Sequence, residues 1–157
     1  MINKLLTNLG LTILRLISSL PISFLNALGG GLGLIGYYLL KKRRNVGLLN
    51  LSLCFPEMGE AEKNHLIKEH FKELIRSGLC YGLIFYASPD KLRKVVEIRG
   101  LENYNKVRGQ IPVVLLAPHF LALDIGANRL TLETPGYSVY AEQRNAYLTE
   151  RIKQARL

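Results

Sequence analysis

Ile111-Pro112-Val113-Val114-Leu115-Leu116-Ala117-Pro118-His119-Phe120-Leu121-Ala122-Leu123-Asp124 is the stretch on which a reading of the fold turns. Residues 113–117 make an unbroken β-branched and aliphatic run between two prolines, the composition of a strand buried on both faces of a largely parallel sheet. Residues 121–130 then place apolar side chains at helical spacings with Asp124 in the first turns, so the stretch reads as strand, tight turn and helix. The fold predicted from it is α/β: an N-terminal membrane helix, further helices, and a mostly parallel sheet with the site at the C-terminal end of a strand.

His119 and Asp124 are the candidate catalytic residues. Positions i and i+5 of one continuous helix point about 140° apart, so the two side chains meet only across a turn. With the histidine on the strand end and the aspartate on the helix, the carboxylate accepts from one ring nitrogen. That fixes the tautomer and leaves the other nitrogen to take a proton. A base placed this way contributes roughly 100- to 10,000-fold in rate. No serine or cysteine stands beside the histidine, which favours direct attack by a substrate hydroxyl over a covalent enzyme intermediate. Spacing alone also admits, and by chance favours, a core histidine with an unrelated helix carboxylate.

Working outward, 157 residues of which 48% are hydrophobic amount to about one domain with a sizeable core. A formal charge of +9 points to an anionic partner: phospholipid headgroups, a phosphorylated substrate, an acidic carrier protein or nucleic acid. Nucleic acid is disfavoured, because no aromatic residues interleave with the charges as a stacking platform requires. Cys54 and Cys80 form neither a metal spacing nor a disulfide framework, in keeping with a reducing cytoplasm.

Residues 16–40 are 25 positions without a charge, enough to cross a bilayer. Pro21 and the run Gly29-Gly30-Gly31 are tolerated in membrane helices, and Tyr37-Tyr38 suit the interface. Lys41-Lys42-Arg43-Arg44 outnumber Lys4 and Arg15, which places the part after residue 40 in the cytoplasm. A cleaved signal peptide is disfavoured, since the apolar stretch is too long and basic residues follow at once. The alternative is a monotopic helix pair, broken near Pro21, that dips into one leaflet. Gly31-Leu32-Gly33-Leu34-Ile35-Gly36 spells a dinucleotide-binding fingerprint but lacks the preceding strand. Gly29 and Gly33, four apart, read instead as a site of close helix contact. Residues 1–44 are therefore predicted to be a membrane anchor with a basic flank, and residues 45–157 a catalytic portion.

A break at Pro56 and Gly59 precedes a long helix predicted over residues 60–86. Its apolar face carries Leu66, Phe71, Leu74, Ile75, Leu79 and Leu83, with Lys63 among the outward charges. His65 and His70 are five apart and read as surface residues, with no metal site. Ser88-Pro89-Asp90 gives an N-cap, a proline at the first helical position and an acidic first turn, opening a short helix to about Lys94. Residues 95–99 read as a strand closed by Gly100, 101–107 as a short helix, 137–141 as a strand, and 145 onward as a helix. Arg144, Arg151, Lys153 and Arg156 add positive charge near the site.

Three blocks, in order, carry a resemblance. Lys42-Arg43-Arg44 precede Asn50-Leu51-Ser52-Leu53-Cys54-Phe55-Pro56-Glu57; then come Ala117 to Asp124 as quoted; then Tyr140 to Asn145 with the helix that follows. Across essentially its whole length the chain resembles the lipid A biosynthesis acyltransferases, the lauroyl and myristoyl transferase family. The resemblance implies that His119 deprotonates a hydroxyl on a glucosamine-linked hydroxyacyl chain while Asp124 orients the ring. The oxygen then attacks the thioester carbonyl of an acyl carrier protein and forms an ester on a phosphorylated glycolipid, with no metal and no bound cofactor. It further implies that Arg156 contacts anionic substrate or developing negative charge, that Tyr140 and Asn145 bind substrate, and that the protein sits at the bacterial inner membrane with its catalytic part facing the cytoplasm. Family members continue past the position of Leu157, and many carry an arginine where this chain has Ala141. The 157-residue chain is accordingly expected to be the N-terminal half, inactive alone. The competing expectations are an acyltransferase acting on a glycerol phosphate acceptor and a non-catalytic basic adaptor on the membrane.

Overall fold

A computed structural model describes residues 2–137, 139 and 145–156, with the side chains of residues 2, 3, 155 and 156 outside that description. Among the described residues every regular element is a helix: α1 (Ile2–Ser18), α2 (Ile22–Leu39), α3 (Lys41–Cys54), α4 (Glu60–Cys80), α5 (Gly82–Tyr86), α6 (Pro89–Val95), α7 (Leu101–Asn105), α8 (Leu123–Thr131) and α9 (Ala146–Arg156). This corrects the α/β expectation, since no strand or sheet occurs among the described residues. Of residues 95–99, Val95 ends α6 and 96–99 are coil, and residues 113–117 run as coil with Val114 93% and Leu116 96% exposed. Such a run favours strand conformation locally, but a strand exists only where a second segment completes its hydrogen-bond ladder. The predicted strand at 137–141 falls largely outside the described residues.

The chain falls into two compact units, Ser19–Cys80 and the combination of Met1–Ser18 with Tyr81–Leu157. In the first, Pro21 has no N–H to continue a helix, and its carbonyl instead receives the N–H groups of Phe24 and Leu25 at 3.0 and 3.1 Å, which starts α2. The uncharged stretch is thus divided at the proline, as in the helix-pair alternative. α2 is the one helix among the described residues long and apolar enough to cross a membrane, by length and composition.

α2 packs on α4. A Cβ on Gly33 would stand 2.4 Å from Lys72 Cα, and one on Gly29 2.8 Å from Arg76 Cα, so the two glycines permit the backbone approach that their spacing suggested. That approach selects the buried face of α4: Lys63, Ile67 and Phe71, four apart, turn inward. Leu66 and Leu74, expected in the core, are exposed. Lys63 buries its stem and bonds Glu60 through its ammonium at 3.1 Å. Tyr37 joins Ile67 and Phe71 in the core, and its hydroxyl donates to Asn64 Oδ1 at 3.1 Å.

In the second unit α5 packs against α1, α8 and α9, and α6 against α8. Leu83 and Ile84 of α5, Leu92 of α6 and Ile125 of α8 are buried. Gly82 lies against α1, where a Cβ would stand 2.6 Å from the Leu14 carbonyl oxygen. α6 begins as its sequence requires, with Ser88 Oγ accepting from Lys91 N at 3.2 Å and Pro89 in the first turn.

Candidate active site

The turn between His119 and Asp124 is tight. Phe120 N–H donates to the Pro118 carbonyl at 2.8 Å and Leu123 N–H to the Phe120 carbonyl at 3.3 Å. Ala122 then takes a left-handed conformation, φ 63° and ψ 13°, as the N-cap residue of α8. It is the one non-glycine residue with positive φ among those described. Its carbonyl receives Ile125 and Gly126 N–H at 3.1 Å each, and the helix runs on with Ile125 buried. Asp124 therefore sits in the first turn of α8, where the helix dipole favours a carboxylate.

Two further contacts hold α8. Asn128 Nδ2 donates to the Ile84 carbonyl of α5 at 3.4 Å, and Arg129 Nε donates to the Val96 carbonyl beyond α6 at 3.1 Å. Glu133 receives Arg129 at 2.7 Å and Arg93 of α6 at 3.4 Å. These hydrogen bonds, Arg129 first and Arg93 second, hold its carboxyl below the usual carboxylate range. A lowered folded-state value means that the tie strengthens folding above the ordinary carboxylate value, about 4.3, and is lost as pH falls through the lowered one.

The sequence-predicted residues are not all brought together. His119 is exposed on the coil before the turn and makes no hydrogen bond among the described residues, so the expected His119–Asp124 bond is not formed. Asp124 Oδ2 instead accepts from the Tyr81 hydroxyl at the entry to α5. Tyr81 was invisible in the sequence, because a partner 43 positions away leaves no periodic signal. Asn145, predicted to bind substrate, caps α9: its Oδ1 accepts from Leu148 N at 3.2 Å and its Nδ2 donates to Thr7 Oγ1 of α1 at 3.0 Å. Tyr140 lies outside the described residues. Arg156 ends α9 with its side chain likewise outside the description.

Arg151, expected as positive charge near the site, lines a cleft of ≈ 180 Å³ with Phe85, Tyr86 and Gln154, and the Arg15 guanidinium lies 5.9 Å from the Tyr86 ring centroid. His65 and His70 are exposed on α4, and among the described residues no group of three metal-ligating side chains occurs.

The sequence profile of the family described as bacterial lipid A biosynthesis acyltransferase matches residues 1–157. The chain is 32% identical over 141 residues to the lipid A biosynthesis lauroyltransferase of Escherichia coli K12, covering 89% of this chain and 46% of that protein. Against the palmitoleoyltransferase of the same organism the identity is 30%, with 89% and 46% covered. Against its myristoyltransferase it is 32%, with 76% and 37% covered. The chain thus spans about half the length of the curated relatives it matches. No solved structure matches it.

Proposed function

The chain belongs to the bacterial lipid A biosynthesis acyltransferase family, and from that premise we propose that it carries the catalytic base of an acyl transfer to a lipid A precursor. The observation that carries the reading is the family match over residues 1–157, which takes in His119 and Asp124. The tight turn and the placing of Asp124 in the first turn of α8 support it.

In the reaction His119 takes the proton of an acceptor hydroxyl, and the oxygen attacks the carbonyl carbon of an acyl carrier protein thioester. The tetrahedral intermediate collapses with cleavage of the C–S bond, and the departing thiolate takes the proton back from the imidazolium. Asp124 orients the ring and stabilises its charged form. This requires the imidazole to reach the carboxylate in the reacting complex; catalytic hydrogen bonds commonly tighten only there. Arg156 stabilises negative charge on substrate or on the developing oxyanion, and Tyr140 and Asn145 bind substrate, as the family resemblance implies. The acceptor is a phosphorylated glycolipid, to which a chain of charge +9 is suited. Residues 1–44 anchor the protein to the bacterial inner membrane with residues 45–157 facing the cytoplasm, a reading supported by the apolar α2 and the basic residues after it.

The test is transfer of a labelled acyl group from acyl carrier protein to a lipid A precursor in detergent, by the natural polypeptide carrying this sequence. His119→Ala is expected to lose at least about 100-fold in rate. A His119→Ala variant as fast as wild type rules the base out. A glycerol phosphate acceptor in parallel identifies the acceptor class. Transfer by residues 1–157 alone would set aside the expectation that they are inactive by themselves.

A further inference from the structure

We propose that Tyr81 is a positioning residue, whose hydroxyl holds the Asp124 carboxylate in the orientation that receives the His119 ring; its consequence for rate rests on the acyl-transfer reading above. The contact joins two elements that other contacts already hold in place. Tyr81 directly precedes Gly82, which lies against the Leu14 carbonyl of α1, and Leu83 and Ile84 next to it are buried. The Tyr81 ring therefore starts from an anchored backbone, and two side-chain torsions set where its hydroxyl lies. On the other side, Ile125 beside Asp124 is buried, and Asn128 one turn further bonds the α5 carbonyl of Ile84. α5 and α8 are thereby held at one separation, and the Tyr81 hydroxyl spans it to Asp124 Oδ2.

A carboxylate in the first turn of a helix has a competing use. It folds back to accept the N–H groups of its own helix terminus, as short acidic side chains do. A hydroxyl donor from outside that helix competes for it through a charge-assisted hydrogen bond. For a residue whose task is to orient a neighbouring imidazole, a carboxylate already held in place needs no rearrangement when the ring arrives. A phenylalanine at 81 keeps the ring and loses the hold.

Side-chain carboxyl ¹³C labelling of aspartate, with the Asp90 and Asp124 resonances assigned by Asp90→Asn and Asp124→Asn, gives a direct readout and an internal reference. In the detergent-solubilised chain, Tyr81→Phe is expected to move the Asp124 resonance and leave Asp90 in place, with an unchanged circular dichroism spectrum. Tyr86→Phe, five residues on at the end of α5, is the control that moves neither. An Asp124 resonance unmoved by Tyr81→Phe overturns the proposal, and this comparison needs no enzymatic activity. In the transfer assay Tyr81→Phe is expected to lower kcat about 10- to 100-fold with KM nearly unchanged. It should cause no further loss in an Asp124→Asn background, because the hydroxyl acts through that carboxylate. A wild-type kcat in Tyr81→Phe, or a full additional loss on top of Asp124→Asn, also overturns it. A wild-type polypeptide that transfers no acyl group counts against the proposed function, while the carboxyl resonances still decide the role of Tyr81.

Discussion

Ala122 holds a left-handed backbone at the bend that turns the coil after His119 into the helix bearing Asp124. A Cβ in that region crowds the following carbonyl and costs roughly 1–2 kcal/mol, which glycine avoids. Ala122→Gly is therefore expected to raise the unfolding temperature slightly, or at worst leave it unchanged after the extra freedom of the unfolded glycine is counted. A clear fall in a thermal melt would contradict the strained turn. A bend between His119 and Asp124 was expected because residues five apart cannot meet on one helix, and the structure has the bend without the meeting. The identity of the carboxylate's partner was not: the Tyr81 hydroxyl reaches Asp124 across 43 residues, and no local pattern encodes it. Asn145 shows the same limit from the other side, since as a cap for α9 with a bond to Thr7 it has a structural use that its place in a family block did not disclose.

The elements divide by whether their causes are local. Ser88 capping α6 acts within a few residues and was readable, and the break at Pro21 was readable as the alternative to one continuous span. The run at 113–117 was not readable in the same way. Its apolar β-branched residues favour strand conformation, but a sheet needs partner segments, and among the described residues this run stays coil with its side chains exposed. The α2–α4 contact lies between these cases. Glycine spacing predicted a close approach, whereas the face of α4 that meets it, with Lys63 inward and Leu66 outward, follows from the approach itself. Gly33→Ala places a Cβ 2.4 Å from Lys72 Cα, a backbone overlap that costs about 1–3 kcal/mol in displaced helix. Gly31→Ala meets nothing within 4 Å and gains about 1 kcal/mol of helix propensity. In parallel melts Gly33→Ala should unfold at the lower temperature, and the reverse order would contradict the glycine contact.

At the scale of the whole molecule, the proposed membrane association draws on a charge of +9 and on the length and apolar composition of α2. The basic run after α2 is not uniform. Lys41, Lys42 and Arg43 are exposed, while Arg44 lies 5.1 Å from the Tyr37 ring centroid and donates to the Tyr37 carbonyl at 3.4 Å. Replacing the three exposed residues with glutamine should weaken binding to anionic vesicles on the order of 100-fold, at about 1 kcal/mol per charge, and leave binding to zwitterionic vesicles unchanged. An equal loss on both lipids would mean that the run acts through the fold instead. The central claim, that this chain contributes the base for acyl transfer in lipid A biosynthesis, is tested most directly by acyl transfer from acyl carrier protein to a lipid A precursor. Wild-type and His119→Ala forms of the natural polypeptide are compared. The account predicts transfer by the wild type and a loss of at least about 100-fold in the variant; equal rates in the two would contradict it.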